Sequence, residues 1–117
     1  MKIGFIGLGN VGGKLAKSLL RNNFELTVRD LDQNLTENFK ELGAKVANSP
    51  KELTEQVELI ITCLPSPDIC AEVMEGDQGV LKGLSENKIW LEMSTTDEAE
   101  VKRIGQKVIS KKAIPLD

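Results

Sequence analysis

The chain has 117 residues, a formal net charge of −3, and 40% hydrophobic against 28% charged residues, the balance of one ordinary globular domain. So slight an acidity gives no reason to expect nucleic acid or an anionic membrane surface as a partner. No apolar run approaches the ~20 residues that cross a bilayer, so no membrane association is expected either.

Lys2 to Lys17 organises everything that follows. Ile3, Phe5 and Ile6 make a short apolar run with Gly4 inside it, which reads as a buried strand. Then comes Gly7-Leu8-Gly9-Asn10-Val11-Gly12, a G-x-G-x-x-G, and after it Leu15, Ala16, Leu19 and Leu20 recur at helical spacing. Glycine turns join many strands to helices for purely steric reasons. A strand before and a helix after are what make this one a dinucleotide fingerprint. Gly7 permits the tight turn, Gly9 lets the backbone approach a pyrophosphate, and Gly12 lets the helix pack close to the strand. The free amides and positive end of the helix would then face the phosphates. The same stretch looks superficially like a signal-peptide core, but its glycines interrupt that pattern. A cytoplasmic location is expected, or an organelle reached through a presequence.

Arg21-Asn22-Asn23 has the polarity of a turn, and Phe24 to Arg29 alternates with Phe24, Leu26 and Val28 on one side, a second strand ending at Asp30. Asp32 to Leu42 carries Leu35, Phe39 and Leu42 at helical spacing, with Gly43 suited to the position after the helix. Lys45-Val46-Ala47 is a short third strand. Ser49-Pro50-Lys51-Glu52 is a helix start in which Ser49 accepts an amide bond and Glu52 reaches back to the Ser49 amide. Val57 to Leu64 is the most continuously apolar stretch and reads as a central strand buried on both faces, stopped by Pro65-Ser66-Pro67.

Asp68 to Glu75 looks helical, and Gly76 to Gly83 is a glycine-punctuated loop or short helix. Ile89-Trp90-Leu91 is a fifth strand, followed by a turn at Met93-Ser94-Thr95-Thr96. Asp97 to Ser110 is an amphipathic helix with Val101, Ile104 and Val108 or Ile109 inward, and Thr95 with Glu98 has the form of a capping box. Ala113 to Leu116 begins a sixth strand. Strands alternating with helices predict an α/β domain, a Rossmann-like doubly wound parallel sheet in the order 3-2-1-4-5-6. A dinucleotide is expected at the switch between strands 1 and 4, where Gly7-Leu8-Gly9 and Leu64-Pro65-Ser66 meet.

Asp30 lies eighteen positions after Gly12, near the ~20 expected of the acid that holds the adenine ribose. A carboxylate accepts bonds from ribose hydroxyls and repels a 2′-phosphate, which favours NAD. Arg29 beside it has the chemistry to accommodate that phosphate, so NADP stays open. Asp30 and Asp32 also suit a plain turn. Leu64 and Pro65 place backbone groups near the nicotinamide ribose, although a proline also simply ends a strand. Ser94, Thr95 and Thr96 offer small hydroxyls at the end of strand 5, for capping or for a ligand. There is no His and no Tyr, and the two cysteines, Cys63 and Cys70, sit in apolar surroundings as two buried thiols. No catalytic residue and no metal ligand is assigned. Chemistry here must rest on a bound cofactor or on residues outside this stretch.

With these motifs placed, the chain resembles the NAD(P)-binding domain of the β-hydroxyacid dehydrogenases, a family that includes 3-hydroxyisobutyrate dehydrogenase, tartronate semialdehyde reductase and 6-phosphogluconate dehydrogenase. The matching stretches are Ile6 to Gly12, the Leu64-Pro65 pair, Gly79-Val80-Leu81, and Glu92-Met93-Ser94-Thr95-Thr96. The resemblance implies that Gly7, Leu8, Gly9, Asn10, Val11 and Gly12 bind the pyrophosphate, Asp30 the adenosine ribose, and Leu64, Pro65 and Thr95 the nicotinamide half, with Ser94 toward substrate. Val11 stands where Met is frequent, Asn22-Asn23 where glycine is usual, and Glu92 where Asp is usual.

In the family a helical domain follows that supplies a catalytic lysine and an asparagine and makes a dimer. The resemblance thus implies that residues 1–117 are the nucleotide-binding domain of a hydride-transferring 3-hydroxyacid oxidoreductase. As given, the chain is expected to bind cofactor without efficient turnover, and to self-associate as a homodimer through its C-terminal edge. A stand-alone nucleotide-binding or sensing module is the alternative. An S-adenosylmethionine methyltransferase is a third reading, disfavoured because no acid precedes Gly7.

Overall fold

A computed structural model describes residues 1–94 and 97–117. Within them the chain runs β1 (Lys2–Ile6), α1 (Asn10–Arg21), β2 (Glu25–Arg29), α2 (Gln33–Glu41), β3 (Lys45–Val46), α3 (Pro50–Gln56), β4 (Leu59–Thr62), α4 (Pro67–Glu75), α5 (Val80–Gly83), β5 (Ile89–Glu92), α6 (Glu98–Ser110) and β6 (Ile114–Leu116). The strands form one parallel sheet in the order β3-β2-β1-β4-β5-β6, as the alternation predicts.

Side chains alternate across each strand, so the sheet buries two separate cores. Ile3 and Phe5 of β1, Leu26 and Val28 of β2 and Ile61 of β4 pack with Ala16 of α1 and Phe39 of α2 on one face. Ile6, Ile60 and Trp90 pack on the other, against Leu53 of α3, Met74 of α4, and Ile104 and Val108 of α6. β4 is therefore buried on both sides, which explains its unbroken apolar run. Lys88, just ahead of β5, fastens that strand to α3, its Nζ donating to the carbonyls of Thr54 at 2.7 Å and Val57 at 2.6 Å.

Pairing in register sets the upper edge of the sheet. Ile6 pairs with both Arg29 and Thr62, and Thr62 pairs with Glu92. The carboxyl ends of β2, β1, β4 and β5 are thus level, and the segments beyond them open on one rim.

Local details depart from expectation in several places. Phe24 lies outside β2 and is exposed, as is Leu42, which falls past the last turn of α2. Asn23 takes φ 66, the left-handed conformation that suits the usual glycine there. The Ser49 hydroxyl caps α3 by accepting from Glu52 N at 3.1 Å, but the Glu52 carboxylate accepts from Asn48 N, not from Ser49 N. α4 begins earlier than read, at Pro67 with Ser66 as its cap. The Thr95 half of the expected Thr95–Glu98 box lies outside the described residues. The cap of α6 is Asp97, whose carboxylate takes the amides of Ala99 and Glu100. Of the two candidates at its far end, Val108 is buried and Ile109 exposed.

α4 and α6 are tied at the surface. Arg103 grips Glu75 with two nitrogens, at 2.8 and 2.5 Å, and Lys107 joins the same carboxylate. Arg103 first, then Lys107, holds the Glu75 carboxyl down to about 2. A lowered carboxyl stabilises the fold fully above its ordinary value of 4.5, and that contribution is lost as the pH falls through about 2. Urea midpoints measured across this range should fall less steeply in Glu75→Gln than in the parent. Added salt should narrow the difference, because the partners are solvent-exposed.

Candidate functional site

The rim built by the register gathers four segments: the β1–α1 turn, the residues after β2, those after β4 and those after β5. The turn is made possible by two glycines. Gly7 has φ +102, and a Cβ there would stand 2.1 Å from the carbonyl oxygen of Cys63. A Cβ on Gly12 would stand 2.0 Å from the carbonyl oxygen of Gly7, so α1 lies directly on the turn. Gly9 differs from both. Among the described residues a Cβ there would meet no atom within 4 Å, and the position faces the open cleft. Nothing among the described residues requires a glycine at 9, whereas a ligand lying against the backbone would.

α1 starts from Gly9 with no side-chain cap and no acid in its first turn. α2, α3, α4 and α6 are each capped by a side chain. Of the long helices that border the cleft, α1 is the one whose first amides have no side-chain acceptor.

Asp30 sits where the offset rule puts it, on the cleft at the end of β2, and it has a second task. Its Oδ2 accepts the Leu8 amide at 2.7 Å and its Oδ1 accepts the Asp32 amide at 2.9 Å. The carboxylate therefore ties the glycine turn to the second strand, with lone pairs remaining on both oxygens. Leu8 faces inward, its side chain buried and its amide given to Asp30. Arg29 is half-buried on the same wall, and its carbonyl receives the Gly7 amide at 3.1 Å. Asn10 and Val11 line the cleft, Val11 being 65% exposed.

Leu64 and Pro65 border the cleft from β4. They offer it less hydrogen bonding than expected: proline has no amide, and the Leu64 amide donates to Ser94 Oγ at 2.5 Å. Ser94 is accordingly anchored to β4 while lining the cleft, and Thr95 lies outside the described residues. Beneath them Glu92, only 4% exposed, accepts from Ser94 N, Thr62 Oγ1 and Cys70 Sγ. Burial, and then the Glu92 carboxylate, push the Cys70 thiol far above its ordinary value. Cys63 is not fully buried as read; it is half-buried on the cleft wall, its thiol also raised by burial and by the charge of Glu92.

The cleft has a volume of about 910 Å³. That is the upper end of small-molecule sites and suits a ligand of dinucleotide size. Its far wall was not anticipated. Ile69, Glu72 and Val73 of α4 face it, with Gln78 and Gly79 beyond, and Leu31 stands 86% exposed on the near lip. The i, i+3, i+4 spacing of Ile69, Glu72 and Val73 was the available signal, since a helix beginning directly after β4 must turn one face to the rim. Among the described residues no cluster of His, Cys, Asp or Glu is arranged to hold a metal. An elongated diphosphate-bearing ligand fits this donor set: backbone amides at the centre, a carboxylate at one end and small polar groups at the other.

Comparison with known proteins agrees with that geometry. Residues 2–117 match the family described as the NAD binding domain of 6-phosphogluconate dehydrogenase. Mitochondrial 3-hydroxyisobutyrate dehydrogenase of Mus musculus is 36% identical over 115 residues, covering 98% of this chain and 34% of that protein. The chain thus spans about a third of the length of the curated relatives it matches. Among solved structures, an imine reductase from Myxococcus stipitatus in complex with NADP+ superposes with TM-score 0.88 at 18% identity, covering 98% of this chain and 39% of the other. Mycobacterium tuberculosis 3-hydroxyisobutyrate dehydrogenase with L-serine gives TM-score 0.85 at 20% identity, covering 97% and 38%. Matched over all but its first residue, and carrying the glycine turn at the rim of a six-stranded Rossmann sheet, this chain belongs to the family of NAD binding domains of the 6-phosphogluconate dehydrogenase type.

Proposed function

We propose that the cleft holds NAD(P) with its pyrophosphate over Gly9 and the first amides of α1, its adenosine ribose at Asp30, and its nicotinamide toward Leu64, Pro65 and Ser94. The observation that carries this is the contrast at α1: an uncapped helix start beside a glycine whose missing side chain leaves only cleft. Arg29 borders the ribose position, but Asp30 and Asp32 flank it, and the Asp32 carboxylate already occupies the amide of Asn34 at the start of α2. That leaves negative charge where a 2′-phosphate would sit, which favours NAD over NADP.

The chain is, on this reading, the cofactor-binding part of an oxidoreductase moving hydride between NAD(P) and a short 3-hydroxyacid, like the 3-hydroxyisobutyrate dehydrogenases it is similar to. The nicotinamide when bound supplies the hydride chemistry. This chain's part is to seat the phosphates, orient the ribose and shape the wall beside the ring. A lysine acting as general acid and base would come from the helical domain of the longer family members.

Calorimetric titration with NADH, NADPH and S-adenosylmethionine tests the reading. NADH should bind most tightly, NADPH more weakly and S-adenosylmethionine not measurably. Tight binding of the methyl donor alone would overturn it.

A further inference from the structure

We infer that Glu92 is a positioning residue for the nicotinamide end of the cleft: its buried carboxylate latches the tips of β4 and β5 together and so sets the edge formed by Leu64 and Ser94. This rests on the NAD(P) assignment above and concerns how one end of that site is held.

Among the described residues, every group bonded to Glu92 is a donor. Ser94 N gives its hydrogen to Oε1 at 2.5 Å, while Thr62 Oγ1 at 3.1 Å and Cys70 Sγ at 3.0 Å both face Oε2. The direction of the Thr62 bond is forced. Trp90 Nε1 can only donate, and it donates to Thr62 Oγ1 at 2.9 Å, which leaves the threonine hydrogen for Glu92. On the other side, Ser94 Oγ accepts the Leu64 amide at 2.5 Å. The chain of bonds thus runs from Trp90 through Thr62 and Glu92 to Ser94 and back to Leu64, just past the point where Met93 N bonds Thr62 O at 2.9 Å.

Only a carboxylate of this length satisfies the arrangement. Glutamine fills the same volume, but with its oxygen on Ser94 N it turns its NH2 toward Thr62 Oγ1 and Cys70 Sγ, so the threonine and thiol hydrogens lose their acceptor and the charge-assisted latch becomes a neutral one. Aspartate draws both oxygens back by about 1.5 Å and cannot serve Ser94 on one side and Thr62 with Cys70 on the other. Either change leaves buried donors without partners and frees the tip that carries Leu64 and Ser94.

The test compares NADH with ADP, which carries the adenosine and diphosphate but no nicotinamide. In the 117-residue chain, Glu92→Gln should weaken NADH about tenfold, the loss of one charge-assisted bond. ADP affinity should stay within about twofold, because the bonds around Asp30 and α1 are untouched. Amide exchange at Leu64 and Ser94 should accelerate while that at Leu8 does not. Equal losses for NADH and ADP, or an unchanged NADH affinity, would overturn the inference. If the parent chain takes up neither nucleotide, the NAD(P) assignment fails, and unaltered protection at Leu64 then decides against the latch on its own. Should Glu92→Gln fail to fold, Thr62→Val removes the inner end of the latch at a residue that does not line the cleft, and the same comparison of NADH, ADP and Leu64 exchange applies.

Discussion

Alanine at Gly7 or Gly12 should cripple the fold, whereas alanine at Gly9 should spare the fold and damage only nucleotide binding. At Gly7 two costs combine: about 1–2 kcal/mol for an L-residue at positive φ and about 1–3 kcal/mol for a methyl driven onto the Cys63 carbonyl. Gly12 carries the steric cost alone, its Cβ meeting the Gly7 carbonyl with Phe5 close behind. Against a total stability of about 5–15 kcal/mol for a domain of this kind, Gly7→Ala should lower the melting temperature by about ten degrees or more and Gly12→Ala by about five or more, a kcal/mol being worth roughly 3–6 degrees at this size.

At Gly9 the backbone has φ −66 and ψ −165, which any residue adopts, and the added carbon touches no atom of the described residues. Thermal unfolding of Gly9→Ala should match the parent, and NADH affinity should fall by about tenfold or more as the methyl takes the space of a phosphate oxygen. Melting curves and calorimetry on the three variants check this. A Gly9→Ala chain that binds NADH normally would remove the pyrophosphate from this turn.

Asp30→Ala is the second large effect, and its form depends on the carboxylate's double duty. Losing the bonds to Leu8 N and Asp32 N frees the glycine turn from β2, so both NADH and NADPH should bind less well. Losing an acceptor for the ribose hydroxyls penalises NADH further, while removing a negative charge relieves NADPH. The expected outcome is a fall of about a hundredfold for NADH against about tenfold for NADPH, charged hydrogen bonds being worth about 1.5–3 kcal/mol each. Parallel titrations with the two cofactors decide it. Equal losses would leave Asp30 as a tether for the turn with no part in recognising the sugar.

The legible parts of the site were those whose partners lie close in sequence or at a fixed offset. The glycine turn declares itself because strand, turn and helix are contiguous from Lys2 to Arg21. Asp30 is found because one βαβ unit has a nearly constant length. Glu92 shows in the sequence only as part of a family stretch, because its role comes from Thr62, thirty positions away, and Cys70, twenty-two positions away. The far wall was missed for the same reason: Ile69 and Val73 look like ordinary core residues until α4 is laid across the rim. Leu31 gave no signal at all, since an exposed leucine in a turn is common. The start of α6 shows the limit of motif spacing. The spacing draws the eye to Thr95 and Glu98, whereas the cap among the described residues is Asp97, which offers a charged acceptor to two amides.

Trp90 is the sole indole of a chain that contains no tyrosine. It is fully buried on the core side of Glu92, and its ring nitrogen is bonded to the threonine that braces the cleft rim. Near-ultraviolet light is therefore absorbed and re-emitted almost entirely by one chromophore at one address. A colour change or a loss of brightness in that emission reports the state of a single strand tip, so the molecule carries its own optical gauge and needs no dye to be followed.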